Sequence, residues 1–173
     1  ADAKSCRWTD TFDASSSLDL CTTSINSSWE RGVTTDLDGC RSGSCWATKL
    51  NGTYNNCEAS CLSSPVFQLA GVTGTIDLSF WAAYDFEYTW DGATVDFVAT
   101  GGPEFVTPAA PGWDRNPLSL NGSCSYTFPV VPGWGQYAAA TARPWGRKSF
   151  SIAQASAPQF FHDGFAWRLR MLS

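Results

Sequence analysis

The sequence predicts an all-β protein, a two-sheet antiparallel β-sandwich, and three observations lead to this fold class. Short segments of alternating apolar and polar residues recur along the chain, which is typical of strands with one buried face. Fifteen glycines and nine prolines punctuate the chain and indicate turn-rich links. No stretch keeps apolar residues at helical spacing for three turns, so the sequence predicts little helix.

Four segments carry most of the strand prediction: 75–87, 94–100, 147–153 and 165–172. In the first of them, Ile76, Leu78 and Phe80 share one face of the predicted strand. In the last, Arg168 and Arg170 alternate with apolar residues, so they form either a solvated face or an ion pair between one of them and an acid of segment 84–92. Several short strands with turn-rich links are typical of a β-sandwich.

Length and composition predict one domain over residues 1–173 and exclude two classes of partner. Hydrophobic residues make up 43% of the chain and aromatic residues 14%, which suits a folded core. The formal charge is −5, so the basic surface that nucleic-acid phosphates require is missing. No apolar run approaches the roughly 20 residues that a membrane span needs, so we expect no membrane insertion.

Seven cysteines predict disulfide bonds and an exported protein. Their spacings do not match a zinc site, and the single histidine lies far from them. Local pairs between Cys6 and Cys21 and between Cys40 and Cys45 are the simplest pairing, with Cys124 as the odd residue. We therefore expect the protein to be secreted or on the cell surface.

Residues 101–123 are predicted to form a long loop rich in proline and glycine, and loops of that length are often functional. The tripeptide Pro-Gly-Trp occurs within it and again at 132–134, so that Trp113 and Trp134 both lie near predicted turns. An exposed tryptophan there could stack on a sugar ring, and a buried one could close the end of the core. The sequence leaves both roles open, and we take Trp113 and Trp134 as candidate ligand-binding residues.

The segment YDFEYTWDG, residues 84–92, contains three carboxylates in a chain with few charges: Asp85, Glu87 and Asp91. Two carboxylates on one face of a strand could act as the acid and base of a glycosidase. The three acids could instead supply oxygen ligands to calcium, which would relieve their mutual repulsion. The third interpretation is a solvated acidic hairpin end. The turn signal Asp91-Gly92 places the acids at a strand end, which disfavours an enzyme groove.

The order of motifs along the chain resembles the MAM-like jelly-roll domains of secreted bacterial proteins. These domains accompany immune-inhibitor-A-type metalloproteases and include the cleaved-adhesin and choice-of-anchor domains. The motifs are FD at 12–13, WERG at 29–32, CWATKLNGTY at 45–54, LSSPVFQL at 62–69, LSFWAAYDFEYTWDGATVDFVATGG at 78–102 and AWRLRML at 166–172. The resemblance spans nearly the whole chain and is strongest over 78–102.

This resemblance implies a two-sheet antiparallel jelly roll that has no catalytic residues and holds a structural calcium ion. The implied ligands are Asp85, Glu87 and Asp91, together with Asp13 from the N-terminal segment. Asp13 departs from the glutamate that the family commonly has, and the cysteines between positions 40 and 61 are additional. Segment 103–143 has no counterpart in the family pattern.

The resemblance also implies a position in the fold for four of the tryptophans. It implies core positions for Trp29, Trp46 and Trp81, and a plug at the end of the core for Trp145. Together these expectations describe a non-catalytic, calcium-stabilised accessory binding or adhesion module. Its partner would be an extracellular glycan or protein surface, and the domain would be one module of a larger chain. The alternatives are a carbohydrate-binding module that uses loop tryptophans and a jelly-roll glycosidase or lyase that uses Glu87.

Overall fold

A computed structural model describes residues 7–13, 15–99, 115–118, 124, 131–135 and 143–173. These residues contain eleven strands: β1 (Asp19–Leu20), β2 (Trp29–Gly32), β3 (Cys45–Thr48), β4 (Ala59–Ser63), β5 (Phe67–Gln68), β6 (Thr75–Tyr84), β7 (Gly92–Ala99), β8 (Arg115–Leu118), β9 (Val131–Gly133), β10 (Arg143–Ala153) and β11 (Asp163–Leu172). Two short 3₁₀ turns, Asp36–Asp38 and Pro158–Phe160, accompany them. Within the described ranges no helix has the length and apolarity to cross a membrane. The all-β class and the antiparallel pairing are confirmed.

The largest sheet is built around β11, which is hydrogen-bonded along both edges. On one edge, β7 pairs with it over eight consecutive positions. On the other edge, β4 pairs with its second half and β5 with its beginning, and β1 extends the sheet beyond β4. The alternation of side chains along β11 suits its central position in the sheet, because Phe165, Trp167 and Met171 lie on one face and are buried.

Strands β6 and β10 form a separate antiparallel ladder that packs on the β11 sheet through aromatic rings. The ring of Phe80 in β6 stacks on that of Trp167 in β11, with 6.2 Å between ring centroids. Trp134 meets Phe80 and Phe150 edge-on at 5.9 and 6.0 Å. Each such pair adds about 0.5–1.5 kcal/mol beyond the area it buries, so these rings hold the two layers together.

The opposite face of β7 is polar and also buried. Asp96 of β7 is fully buried and accepts a hydrogen bond of 2.9 Å from Nε of Arg170, its ion-pair partner on β11. Thr94 donates to the carbonyl oxygen of Pro132 in β9 at 2.9 Å. The ion pair predicted for an arginine of the last strand therefore exists, but its acid is Asp96 and not a residue of the 84–92 segment.

The predicted hairpin between β6 and β7 is wrong. The two strands pair with different partners, β6 with β10 and β7 with β11, so residues 85–91 connect the two layers. The physical reason is that β7 is buried on both faces and takes a place beside the central strand.

The predicted loop 101–123 also needs correction at one point. Arg115–Leu118 forms strand β8, which pairs with β9. The remainder of the predicted loop lies outside the described residues.

Three disulfide bonds join described cysteines, and the predicted pairing was right for one of them. Cys40 is bonded to Cys45 as expected. Cys21, however, is bonded to Cys61, because β1 lies beside β4. The pairing of Cys21 with Cys6 was therefore wrong, and Cys6 lies outside the described residues.

The expectation that Cys124 is the odd cysteine was also wrong. Cys124 is bonded to Cys57, which lies two residues before the start of β4. This bond closes a loop of 67 residues, whereas the bond between Cys40 and Cys45 closes one of 5. The long-range bond attaches the middle of the chain to the β4 side of the central sheet.

The unequal loops predict unequal contributions to stability. Replacing Cys21 and Cys61 with alanine should lower the free energy of unfolding by about 4 kcal/mol, and replacing Cys40 and Cys45 by about 2 kcal/mol. The difference arises because the first bond closes a loop of 40 residues and restricts the unfolded chain more. Equilibrium urea unfolding without reductant measures both values. An equal or larger loss for the Cys40–Cys45 pair would contradict this account.

Candidate functional site

Asp91 of the acidic segment is buried and held by protein groups. Its side chain is 6% exposed, and it accepts hydrogen bonds from the hydroxyl of Tyr54 and, at 3.2 Å, from the backbone N–H of Glu87. Burial raises the pKa of Asp91, and these hydrogen bonds oppose the rise. Burial, followed by the hydrogen bond to Asp91, raises the pKa of Tyr54. Asp91 thus fastens residue 54 to the connection between the two layers.

The other predicted metal ligands lie in different surroundings. Asp85 and Glu87 are exposed in the connection between β6 and β7. Asp13 lies against the turn before β3, where its carboxylate accepts the backbone N–H of Ser44 at 3.3 Å. Gly43 in that turn has φ of +42° and leaves no room for a Cβ beside this carboxylate.

These placements do not fit the predicted calcium site. Within the described part of the chain, no three His, Cys, Asp or Glu side chains come together as a metal-binding group. The four predicted ligands therefore do not form one donor set, and one oxygen of Asp91 already accepts two hydrogen bonds. Calcium stays a prediction from the sequence resemblance, without support from this geometry.

Of the two predicted ligand-binding tryptophans, the structure describes Trp134 alone, and it does not supply a platform. Trp113 lies outside the described residues. Trp134 is 2% exposed and packs among the aromatic rings between the layers. An exposed ring face is what sugar stacking requires, and the buried ring of Trp134 has none. Of the two roles that the sequence left open for Trp134, the structure shows the core plug.

A groove of about 830 Å³ lies beside β6. All seven residues from Thr75 to Trp81 line it, although successive side chains of a strand point to opposite faces. A groove can touch consecutive residues of both faces only along the edge of a strand. One wall of the groove is therefore the edge of β6 that faces away from β10.

The opposite wall is the N-terminal segment 7–12 together with the residues around the start of β3, and the floor comes from the central sheet. Floor residues include Leu62 of β4 and Phe165 and Trp167 of β11. Trp8 anchors the N-terminal wall, because its ring meets the rings of Phe67 and Trp167 edge-on at 6.0 Å each. The groove is thus an opening beside the β6–β10 ladder, and its floor is formed by apolar side chains of the β11 sheet.

Asp10 gives the N-terminal wall a fixed shape. Its carboxylate accepts hydrogen bonds from the backbone N–H groups of Phe12 and Ser17 and from the hydroxyls of Ser16 and Ser17. Burial alone would raise the pKa of Asp10, but the hydrogen bonds outweigh it and lower the pKa below its ordinary value. Asp10 therefore stabilises the fold above its ordinary pKa of about 4, and this contribution is lost as the pH falls further.

One buried indole donor in the groove lining has no acceptor among the described residues. Trp8 donates to Ser17 at 3.0 Å, and Trp46 donates to Ser16 at 2.9 Å. Nε1 of Trp29 is buried and has no hydrogen-bond partner in the structure. A buried donor without an acceptor costs roughly 1–3 kcal/mol, and a ligand that accepts from Trp29 would recover part of that cost.

A cation and an exposed ring mark one end of the groove. Trp81 is 45% exposed, and the guanidinium of Arg41 lies 3.8 Å from its ring centroid. Such cation–π contacts contribute about 0.5–1 kcal/mol at exposed sites. The core position predicted for Trp81 is therefore wrong, whereas Trp29 and Trp46 pack partly buried against the core. The alternation of side chains along β6 could have revealed the exposure of Trp81, because this residue lies on the face opposite to Ile76 and Phe80.

Comparison with known proteins adds one structural similarity. No protein-family model matches the chain, and no curated protein matches it. Among solved structures, it is similar to the K1 cleaved adhesin domain of Lys-gingipain from Porphyromonas gingivalis W83. The sequence identity is 13%, the match covers 94% of this chain and 92% of that chain, and the TM-score is 0.46. A similarity at this level carries no argument about family or activity, so the MAM-like resemblance stays a prediction.

The buried contact between Tyr54 and Asp91 yields a stability prediction. Replacing Tyr54 with phenylalanine should lower the free energy of unfolding at pH 7 by about 1–3 kcal/mol, because the buried carboxylate loses a donor. Urea unfolding measures this loss. In an Asp91→Asn background the same replacement should cost less, since no charge is left behind. An equal cost in both backgrounds would show that the carboxylate is not the cause.

Proposed function

We propose that the chain is a non-catalytic, exported binding module of the adhesion type, and that its ligand lies in the groove beside β6. The observation that carries this proposal is the groove itself, which is open, aromatic-lined and about 830 Å³ in volume. Ligand sites are typically concave and mostly apolar, with a few polar groups that orient the ligand. Here Arg41, Asp77 and the indole N–H of Trp29 are available as orienting groups.

The proposed architecture is a two-sheet sandwich of the jelly-roll type. It is supported by the stacking of the β6–β10 ladder on the inner face of the β11 sheet through Phe80 and Trp167. The β2–β3 pair contributes Trp29 and Trp46 to the lining of the same groove. In this arrangement the β6–β10 and β2–β3 pairs belong to one layer, and the groove lies between them.

Export is supported by the three disulfide bonds, because such bonds persist in oxidising compartments. A non-catalytic role is supported by the state of Asp10, an acid in the groove lining. Its carboxylate already accepts four hydrogen bonds from protein groups, so Asp10 is explained by its part in the fold. The proposed partner is a polymer outside the cell, and the module would belong to a larger chain.

Calcium is a separate proposal that rests on the sequence resemblance alone. A cation that binds only the folded state raises the melting temperature by mass action. If calcium is bound, EDTA should lower the melting temperature in a thermal scan, and added calcium should restore it. Magnesium added at the same concentration is the control for a general salt effect. An unchanged melting curve in excess EDTA would reject calcium and leave the groove proposal intact.

Two tryptophans with the same exposure allow a matched test of the groove. Trp81 lines the groove, whereas Trp90 lies in the connection between β6 and β7, and each is 45% exposed. Trp81→Ala should lower retention on arrays of immobilised glycans and linear peptides by at least about tenfold, which corresponds to about 1.4 kcal/mol. Trp90→Ala should leave retention unchanged.

One result would overturn the proposal that the groove is the binding site. If the protein is retained and both variants bind like the parent, the groove is not the binding site. Circular dichroism and melting temperature on both variants show whether the fold is kept. A release of sugar products from any polysaccharide that Glu87→Gln abolishes would instead support the glycosidase or lyase alternative.

A further inference from the structure

We propose that the ligand of this groove is an extended polypeptide segment that pairs, as an added antiparallel strand, with the edge of β6 that no described residue occupies. The inference rests on the proposed function, because it takes the groove as the binding site. It deepens that function by naming the chemical class of the ligand. Three features of the molecule support it: the direction of the backbone groups of β6, the shape of the groove and the charges along it.

The hydrogen-bonding pattern with β10 shows which backbone groups of β6 face the groove. In register with this ladder, the backbone N–H of Gln154 donates to the carbonyl of Gly74 at 2.9 Å. Residues 74 and 154 are therefore a hydrogen-bonded pair, and alternate residues of β6 follow the same pattern. Ile76, Leu78 and Phe80 use their backbone groups on β10. The residues between them direct theirs to the other edge.

Four residues therefore present backbone donors and acceptors to the groove: Thr75, Asp77, Ser79 and Trp81. No described residue forms a backbone hydrogen bond with them on that edge. Their groups repeat at about 6.6–6.8 Å, twice the rise of a strand residue. Only another extended backbone matches this repeat with alternating donors and acceptors, which is how peptides add to exposed sheet edges.

The shape of the groove favours one strand over a whole sheet. A second copy of this chain would bring further strands behind its edge, and the N-terminal wall at 7–12 stands in their path. A single peptide of seven residues spans about 23 Å, which is the length of β6 from Thr75 to Trp81. Its inward side chains would meet the apolar floor at Leu62 and Trp167.

The charges along the edge indicate which outward side chains the peptide carries. Asp77 lies toward the beginning of β6, whereas Arg41 covers Trp81 at the end of the groove-lining segment. Neither forms an ion pair among the described residues. An antiparallel partner therefore fits best with an acidic residue near its N-terminal end and a basic residue opposite Asp77. Its inward positions are apolar.

The probe for this proposal is the acetylated heptapeptide Glu-Val-Thr-Leu-Lys-Val-Thr, labelled at its C-terminal end. In the antiparallel register its glutamate lies opposite Trp81 and its lysine opposite Asp77. Fluorescence anisotropy should show saturable binding to the full chain. The peptide with glutamate and lysine exchanged should bind more weakly, because both charges then face like charges.

Methylation of the peptide backbone provides a matched chemical control. Methyl groups on the amide nitrogens of the threonine at position three and the lysine should abolish binding, because these N–H groups would pair with β6. Methyl groups on the leucine and the second valine should be tolerated, because those N–H groups face away from β6. Equal binding by both methylated peptides would overturn the proposal.

A pair of variants at one position tests the same hydrogen bond from the protein side. Ser79→Pro removes the backbone N–H that faces the groove, and proline is tolerated on strand edges. Ser79→Ala keeps that N–H. Both variants lose the 3.1 Å hydrogen bond that Arg147 donates to the Ser79 hydroxyl, so the comparison isolates the backbone group. Ser79→Pro should weaken peptide binding at least about tenfold, and Ser79→Ala should not.

The outcomes separate this inference from the proposed function. Loss of binding in Ser79→Pro with an unchanged melting temperature supports strand addition. Glycan retention that depends on Trp81, without binding of any linear peptide, keeps the groove as a binding site and overturns the polypeptide ligand. Binding that depends on neither Trp81 nor Ser79 overturns both.

Discussion

The stack of Phe80 on Trp167 is the contact on which the rest of the structure depends. It joins the β6–β10 ladder to the middle of the β11 sheet, and Trp134 closes around it from the side. Because the stack fixes the distance and position of β6 over the sheet, it also fixes where the groove-lining edge of β6 lies. The groove exists because β6 is held there while the next wall is built from the N-terminal segment and β3.

Three buried acids among the described residues have structural roles. Asp91 is satisfied by Tyr54 and the backbone of Glu87, and Asp96 by Arg170. Glu58, which is fully buried, accepts hydrogen bonds from Ser28 and Ser60. Each carboxylate replaces lost water with donors from a different part of the chain. Of the acids in segment 84–92, Asp91 is therefore explained as a cross-link between segments, whereas Asp85 and Glu87 are exposed.

The fold class and the longest strands could be predicted from the sequence because they depend on local periodicity. The alternation around Trp167 and Leu78 is visible in the residues themselves. Which strands and which cysteines pair depends on long-range contacts. Therefore neither the separate partners of β6 and β7 nor the bond between Cys57 and Cys124 could be predicted from the spacing of residues along the chain. The acidic segment was located correctly, but the burial of Asp91 depends on Tyr54, which is distant in sequence. The groove could not be predicted because the periodicity of a strand shows only which way its side chains point. Whether an edge of a strand lacks a partner depends on backbone pairing with distant segments.

The disulfide connectivity has a consequence for how the chain responds to a pulling force. A pulling force that enters along the chain at Cys21 passes through sulfur to Cys61, returns along the short segment to Cys57 and passes again through sulfur to Cys124. Most of the chain between Cys21 and Cys124 is therefore outside the load-bearing path. Even if every strand came apart, the molecule could lengthen by only a fraction of its contour, so the groove-lining edge of β6 would stay within a covalently closed loop.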